Sequence, residues 1–232
     1  MFDQAGLKVL LDQLEPRLAA SLLKTSRDTF DYDQLAAFAA SVDSAQFATE
    51  QFGMAVRYES DEALLRAAVP MARPEGLFLE FGVASGRTLR IIAETHPGPV
   101  FGFDSFGGLP ETWRPGFEVG AFAQAPPATR ENAALVIGLF GDSLPRFLAD
   151  HAGPVGFLHV DCDLYSSTAT IFGFLRERIV PGTVIVFDEF LNYPGWRLHE
   201  YKAFMEFIGS SGKKFRYIGC VPSHQQVAVV IE

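Results

Sequence analysis

The sequence predicts an α/β fold: a doubly wound, mostly parallel seven-stranded sheet, with an antiparallel hairpin at its C-terminal end and a helical extension at its N-terminal end. Three observations carry this. From Leu77 onward, short apolar runs alternate with amphipathic helical stretches, the pattern of a parallel sheet with helical crossovers. Before Leu77 the apolar residues recur at helical spacing. After Phe215, two apolar runs are joined by only a short turn, and a parallel pair needs a long crossover, so these two must be antiparallel.

The elements follow in order. Leu7, Leu10, Leu11, Leu14 and Leu18 recur at helical spacing, with Pro16 interrupting. Leu35, Phe38 and Ala39 continue a second helical stretch, and Asp61–Val69 predicts a third, stopped by Pro70 and Pro74. Residues 1–72 are expected to form a helical lid or oligomerisation segment, and 73–232 the main domain. Its parallel strands are expected at Leu77–Phe81, Val100–Asp104, Ala134–Gly138, Val155–Asp161 and Thr183–Asp188. The closing hairpin pairs Phe215–Cys220 with Gln226–Ile231 around Pro222 and Ser223. Residues 106–132 break the rhythm with repeated glycine and proline. A loop this long inside a compact domain is usually functional or disordered, and the competing reading is a mobile surface loop. It leaves the C-terminal edge of the sheet, where ligands of open α/β sheets bind, so a lid or substrate-recognition insert is expected.

Composition excludes several function classes. A chain of 232 residues suits one domain with an extension, and 48% hydrophobic residues argue against disorder. A net charge of −9 disfavours nucleic acid as a partner, since phosphate binding rests on Lys and Arg. Cys162 and Cys220 make no disulfide framework, which points to a cytoplasmic protein. The first residues mix acids with apolar side chains and offer no cleavage site, so no signal peptide is expected. No apolar run has membrane-spanning length. The early leucines offer an apolar face, and a homodimer is expected.

The densest signal is GLFLEFGVASGRTLRIIAE, Gly76 to Glu94: a strand ending at Glu80, a glycine loop with Gly82 and Gly86, then a helix led by Thr88. Such a turn lays backbone N–H groups and a helix N-terminus against a ligand. It lacks the Gly-Lys-Ser/Thr of a phosphate-binding loop, and Ala84 stands where a dinucleotide site has its second glycine. With Glu80 in front, it resembles motif I, E-x-G-x-x-x-G, of class I S-adenosylmethionine-dependent methyltransferases, which are Rossmann-like. That resemblance implies cofactor contacts from Glu80, Phe81, Gly82, Ser85, Gly86 and Thr88. Asp104, about 20 residues past the loop, is placed to hold ribose hydroxyls, because a carboxylate accepts two hydrogen bonds and donates none. Ser105 assists in this reading; the competing role for Asp104 is a helix cap. In GDSLPRFL, Asp142 or Ser143 either accepts from the adenine amino group or caps the next helix.

Two strands end in acids, Asp161 and Asp163 on one and Asp188 and Glu189 on the other. Adjacent strands lie roughly 4.8 Å apart, so these carboxylates arrive together and would repel if bare. A hard divalent cation resolves the repulsion, and oxygen ligands point to Mg²⁺, with Mn²⁺ or Ca²⁺ behind it. The competing reading makes them helix caps, Asp163 for a helix starting near Ser166. FGFDSFGGLPE, DCDLYSST and VPGTVIVFDEF together resemble the macrocin O-methyltransferase (TylF/MycF-like) family from about Glu80 to the C-terminus. The resemblance implies a Mg²⁺- and S-adenosylmethionine-dependent enzyme methylating a sugar hydroxyl on a small-molecule acceptor. It assigns Asp161, Asp188 and Glu189 to the metal, Glu189 standing where the family has aspartate.

A metal-bound hydroxyl needs a base. Asp161 is the first candidate and His224, in the C-terminal turn, the second. His159 reads as a satisfied core histidine. His199, Tyr193 and Trp196 either face substrate or pack the following helix. His96 and His151 read as surface-loop residues, and Cys162 as a small hydrophobe. Two rivals remain at this level. A nicotinamide-dependent oxidoreductase or epimerase explains Gly82, Gly86 and Asp104 but not the acidic strand ends, and its Tyr-x-x-x-Lys is missing. A non-catalytic cofactor-binding module is the other.

Overall fold

A computed structural model describes residues 31–232; the helix expected around Leu7–Leu18 lies outside them. Helix α1 (Tyr32–Gln51) starts where Asp31 accepts from the backbone of Asp33 and Gln34, as an N-cap does. It is followed by β1 (Val56–Arg57), α2 (Asp61–Ala68) and a 3₁₀ turn, Val69–Met71, whose first turn accommodates Pro70. The alternating part is β2 (Leu77–Phe81), α3 (Arg87–Thr95), β3 (Val100–Asp104), β4 (Ala133–Ile137), α4 (Phe140–Asp150), β5 (Val155–Val160), α5 (Tyr165–Leu175) and β6 (Ile179–Phe187). Helix α6 (Glu200–Ser211) precedes the hairpin of β7 (Phe215–Cys220) and β8 (Val227–Ile231).

One sheet holds every strand of the described residues, in the order β1-β7-β8-β6-β5-β2-β3-β4. Pairing is parallel except at β6–β8 and β7–β8. The strand count is a correction: eight among the described residues, where the sequence predicts seven. The extra strand is β1, whose Val56 and Arg57 pair in parallel with Gly219 and Cys220 of β7. Two exposed residues show no alternation, so the pattern cannot reveal them. β6 also begins earlier than expected, because Pro181 and Gly182 read as a turn but lie within the strand.

The fully buried strand residues Phe78, Leu79, Phe157, Leu158, Val184 and Ile185 face helices on both sides, which is why these runs are apolar without alternation. α2 packs Leu64 and Leu65 into the same core cluster as Leu89 and Ile92 of α3. α1 crosses the far side, where Phe47 meets the rings of Trp196, Tyr201 and Tyr217. Asp43 anchors it: Oδ2 accepts from Trp196 Nε1 at 2.9 Å, and both oxygens accept from Arg197. The chain leaves β2 outward to β3 and β4, then returns to β5 on the other side of β2. That reversal opens a crevice between the C-terminal ends of β2 and β5, the usual ligand position in such sheets.

Candidate active site

A cavity of 710 Å³ lies over that crevice. Gly82 and Ala84 form one wall, Asp104 and Ser105 another, and Asp161, Cys162, Asp163 and Glu189 the floor. Leu109, Trp113, Arg114 and Phe117 cover it from the segment between β3 and β4. That segment is closed by its own backbone bonds: Leu109 N to Ala121 O, Gly120 N to Leu109 O, and Trp113 N to Phe117 O. The 106–132 insert therefore sits over the sheet edge, and glycine permits its fold. At Gly108 (φ +79°) a Cβ would lie 2.4 Å from the carbonyl of Gly120.

The glycine loop is pinned against β5. Gly82 has φ +92°, and a Cβ there would sit 1.5 Å from the carbonyl oxygen of Asp161. Only glycine allows this approach. Asp104 holds the same loop from the other side: Oδ2 accepts from Val83 N and Ala84 N, each at 2.9 Å, and Oδ1 from Phe106 N at 2.7 Å. A carboxylate has about four acceptor positions, so about one remains for a ligand hydroxyl instead of the two a diol would use.

The other sequence-predicted cofactor residues divide. Asp142 lines the cavity. Ser143 is buried, and its hydroxyl donates to Leu139 O. Neither residue caps α4, which begins at Phe140 with Leu139 in the cap position. Ser85 and Gly86 line a second hollow beside Ala128 and Thr129. Glu80 and Phe81 are fully buried beneath the loop, and Thr88 is buried in the first turn of α3.

The acids converge as the spacing implies. Asp161 continues β5 and Asp188 continues β6, tied by Asp188 N donating to Val160 O at 2.9 Å. Burial, then the charge of Asp188, holds the Asp161 carboxyl well above the usual range. The same causes raise Glu189. Asp163 is pushed up to about 7 by burial and by Asp188, against the opposing pull of Arg114. It does not cap α5, which begins at Tyr165; instead its backbone turns left-handed (φ 63°) and it lines the cavity.

Sequence reasoning missed three participants. Glu200, fully buried at the start of α6, accepts from Cys162 N at 3.4 Å and Glu189 N at 3.2 Å, joining the ends of β5 and β6. Burial and Asp163 raise its carboxyl too. Gln226, just before β8, donates to Asp188 Oδ1 at 3.0 Å. Arg114 stacks over Trp113 at 3.9 Å and is, among the described residues, the one Lys or Arg in the cavity lining. None had a motif; each reaches the site from a distant element.

The donor set fits a divalent cation. Asp161 and Asp188, together with His159, offer ligand atoms within 4.8 Å of one another; Glu189 lies outside that group, though its Oε2 is buried without a hydrogen-bond partner. Burial, then the charge of Asp188, raises the Asp161 and Glu189 carboxyls, which a bound cation would reverse. His224 lines the cavity. Of the remaining residues, Tyr193 stacks with His199 and touches Trp113 behind the lining, while Trp196 is buried against α1, away from the cavity. His96 corrects a surface expectation, being buried and stacked on Phe78 at 3.5 Å. His151 stacks on Phe147. Cys162 is buried beside Thr168.

Residues 79–190 match the family described as a methyltransferase domain. The fold is that of the class I methyltransferases. CalS11, a calicheamicin methyltransferase, aligns over 99% of this chain and 94% of its own with a TM-score of 0.58 and 19% identity. A second structure of CalS11, described as TDP-rhamnose 3'-O-methyltransferase, aligns with a TM-score of 0.54 and 18% identity, over 99% of this chain and 96% of that one. The O-methyltransferase NovP aligns over 73% of this chain and 78% of its own, with a TM-score of 0.57 and 19% identity. Curated proteins give no sequence match. The methyltransferase match begins in β2 and ends just past Glu189, so it spans the glycine loop, Asp104 and the acidic strand ends. Among the described residues, no helix is long and apolar enough to cross a membrane.

Proposed function

We propose that this chain is an S-adenosylmethionine-dependent, divalent-cation-dependent O-methyltransferase, with Mg²⁺ the expected ion, acting on a hydroxyl of a sugar or polyol in a natural product or glycan. The observation that carries it is one cavity bounded by the glycine loop and Asp104 on one side and by Asp161, Asp163 and Glu189 on the other. The matched methyltransferase domain and the sugar-directed CalS11 support the reading.

When bound, S-adenosylmethionine supplies an electrophilic methyl group, and the cation lowers the pKa of a coordinated hydroxyl. The chain's task is then orientation. Gly82, Ala84, Asp104, Ser105 and Asp142 hold the cofactor half; Glu80, Phe81, Ser85, Gly86, Thr88 and Ser143 shape the loop and helix behind it. Asp161, Asp188 and Glu189 hold the cation. Trp113, Arg114 and Phe117 give the acceptor an aromatic wall and shield the reaction from water. Asp161, or His224 from the opposite rim, takes the hydroxyl proton.

The domain division assigns residues 1–72 to lid or oligomerisation and 73–232 to catalysis. The exposed Tyr32, Leu35, Phe38 and Val42 on α1 support a homodimer. The free, buried Cys162 and Cys220 support a cytoplasmic setting. The test is calorimetric titration of EDTA-stripped protein with S-adenosylhomocysteine, S-adenosylmethionine and NAD⁺, then with Mg²⁺, on wild type and Asp188→Ala. Micromolar binding of the two sulfur compounds and a Mg²⁺ heat lost in the variant are expected. Binding of NAD⁺ in their place would overturn the reading.

A further inference from the structure

His159 is fully buried on β5, opposite Glu80 of β2 in the strand register. Its Nδ1 lies 2.9 Å from Glu80 Oε1. Its Nε2 is buried and has no hydrogen-bond partner. That is unusual, because a buried ring nitrogen left unpaired loses its hydration without compensation. His159 and Asp161 are two residues apart and share a face. Asp188 stands beside Asp161 on the next strand. One ligand atom from each of His159, Asp161 and Asp188 lies within 4.8 Å of the others.

We propose that His159 ligates, through Nε2, the divalent cation held by Asp161 and Asp188. This rests on the cation reading above and revises its donor set from oxygen alone to oxygen plus one nitrogen. The Glu80 contact is what such a ligand requires. A metal-bound imidazole donates its other N–H to a carboxylate, which fixes ring orientation and tautomer. A cation on Nε2 selects the tautomer in which Nδ1–H donates to Glu80. Glu80 is thus a positioning residue, and the first acid of the glycine-loop motif serves the cation site from beneath. The nitrogen also changes ion preference. Mg²⁺, Ca²⁺ and Mn²⁺ favour oxygen donors, whereas imidazole suits Fe²⁺, Ni²⁺ or Zn²⁺.

The test uses full-length, EDTA-stripped protein with Mn²⁺ as probe and electron spin-echo envelope modulation as readout. Bound Mn²⁺ is expected to show ¹⁴N modulation that is replaced when the protein carries ¹⁵N-histidine. His159→Gln should abolish the modulation and weaken Mn²⁺ binding by at least about tenfold. If that variant does not fold, the double variant His199→Gln/His224→Gln decides: its remaining histidines besides His159 end α3 and α4 at the opposite edge of the sheet, so a retained modulation reports His159. Bound Mn²⁺ without histidine modulation, or modulation surviving in His159→Gln, overturns the ligand assignment while leaving the carboxylate site standing. Absence of Mn²⁺ binding while S-adenosylhomocysteine still binds overturns the cation reading and this inference with it.

Discussion

Asp104 Oδ2 stands 2.9 Å from the backbone nitrogen of Ala84, so the acid at the end of β3 braces the glycine loop at the end of β2. The same oxygen takes Val83 N, and the other takes Phe106 N, the first residue of the insert. One carboxylate therefore holds both the glycine loop and the root of the insert. Asp104→Ala should lower stability by about 2 kcal/mol, since three backbone donors lose a charged acceptor. It should also weaken S-adenosylhomocysteine binding by at least about tenfold. Urea denaturation and calorimetry check the two; unchanged affinity would refute the bracing role.

Gly82→Ala is expected to destabilise by more than about 4 kcal/mol, because its Cβ would overlap the carbonyl of Asp161 and its φ is positive. Gly107→Ala is the control. Its Cβ would meet only Ser105 Oγ at 3.6 Å, and a change within about 0.5 kcal/mol is expected. Thermal melts of both variants decide it. Equal melting temperatures would contradict the close approach.

In the cation-free protein, stability should fall as pH rises from about 4 to about 7. Asp163 titrates near 7 when folded, above an unfolded carboxyl, so the native state binds more protons across that window. The slope of unfolding free energy against pH is therefore negative there. Asp161, Glu189 and Glu200, raised in the same direction, steepen it. Saturating Mn²⁺ should flatten the slope, because a cation replaces the bound protons. Denaturation midpoints at several pH values, with and without metal, measure this; a flat metal-free profile would count against the repelling cluster.

Asp43→Ala should loosen α1 without touching the cofactor site. It removes the acceptor of Trp196 Nε1 and the two-oxygen partner of Arg197, at a cost of about 1 kcal/mol. Hydrogen exchange in α1 should rise while S-adenosylhomocysteine affinity stays constant. A drop in that affinity would mean that α1 shapes the cofactor pocket directly.

On the proposed function, Trp113→Ala should raise the acceptor KM by about tenfold or more and leave cofactor affinity unchanged, because Trp113 lines the cavity on the proposed acceptor side and carries the stacked Arg114. Steady-state kinetics at saturating S-adenosylmethionine, once an acceptor is found, separate the two effects. An equal loss in both would place Trp113 over the cofactor instead.

The strands that carry the site were legible because each ends a continuous apolar run with an acid or glycine: Glu80 and Gly82, Asp104, Asp161, Asp188. β1 was not, since Val56 and Arg57 are too few to show a period. The beginning of β6 was hidden by Pro181 and Gly182, which signal a turn unless the neighbouring strands are known. His96 read as a loop residue because its burial comes from stacking on Phe78, a contact between residues distant in sequence.

The sequence by itself determined the layers, the parallel order and the meeting of Asp161 with Asp188, because period and strand-end position fix which residues reach one edge of a sheet. Tertiary structure alone decided what surrounds them. Glu200 from α6, Gln226 from the hairpin and Arg114 from the insert come to the carboxylates across long separations that no local pattern encodes. It also decided the state of His159. Sequence places that ring in a buried strand. Only the packed sheet shows that Glu80 satisfies one nitrogen and leaves the other buried without a partner, since hydrogen bonding between strands depends on register and not on either strand alone.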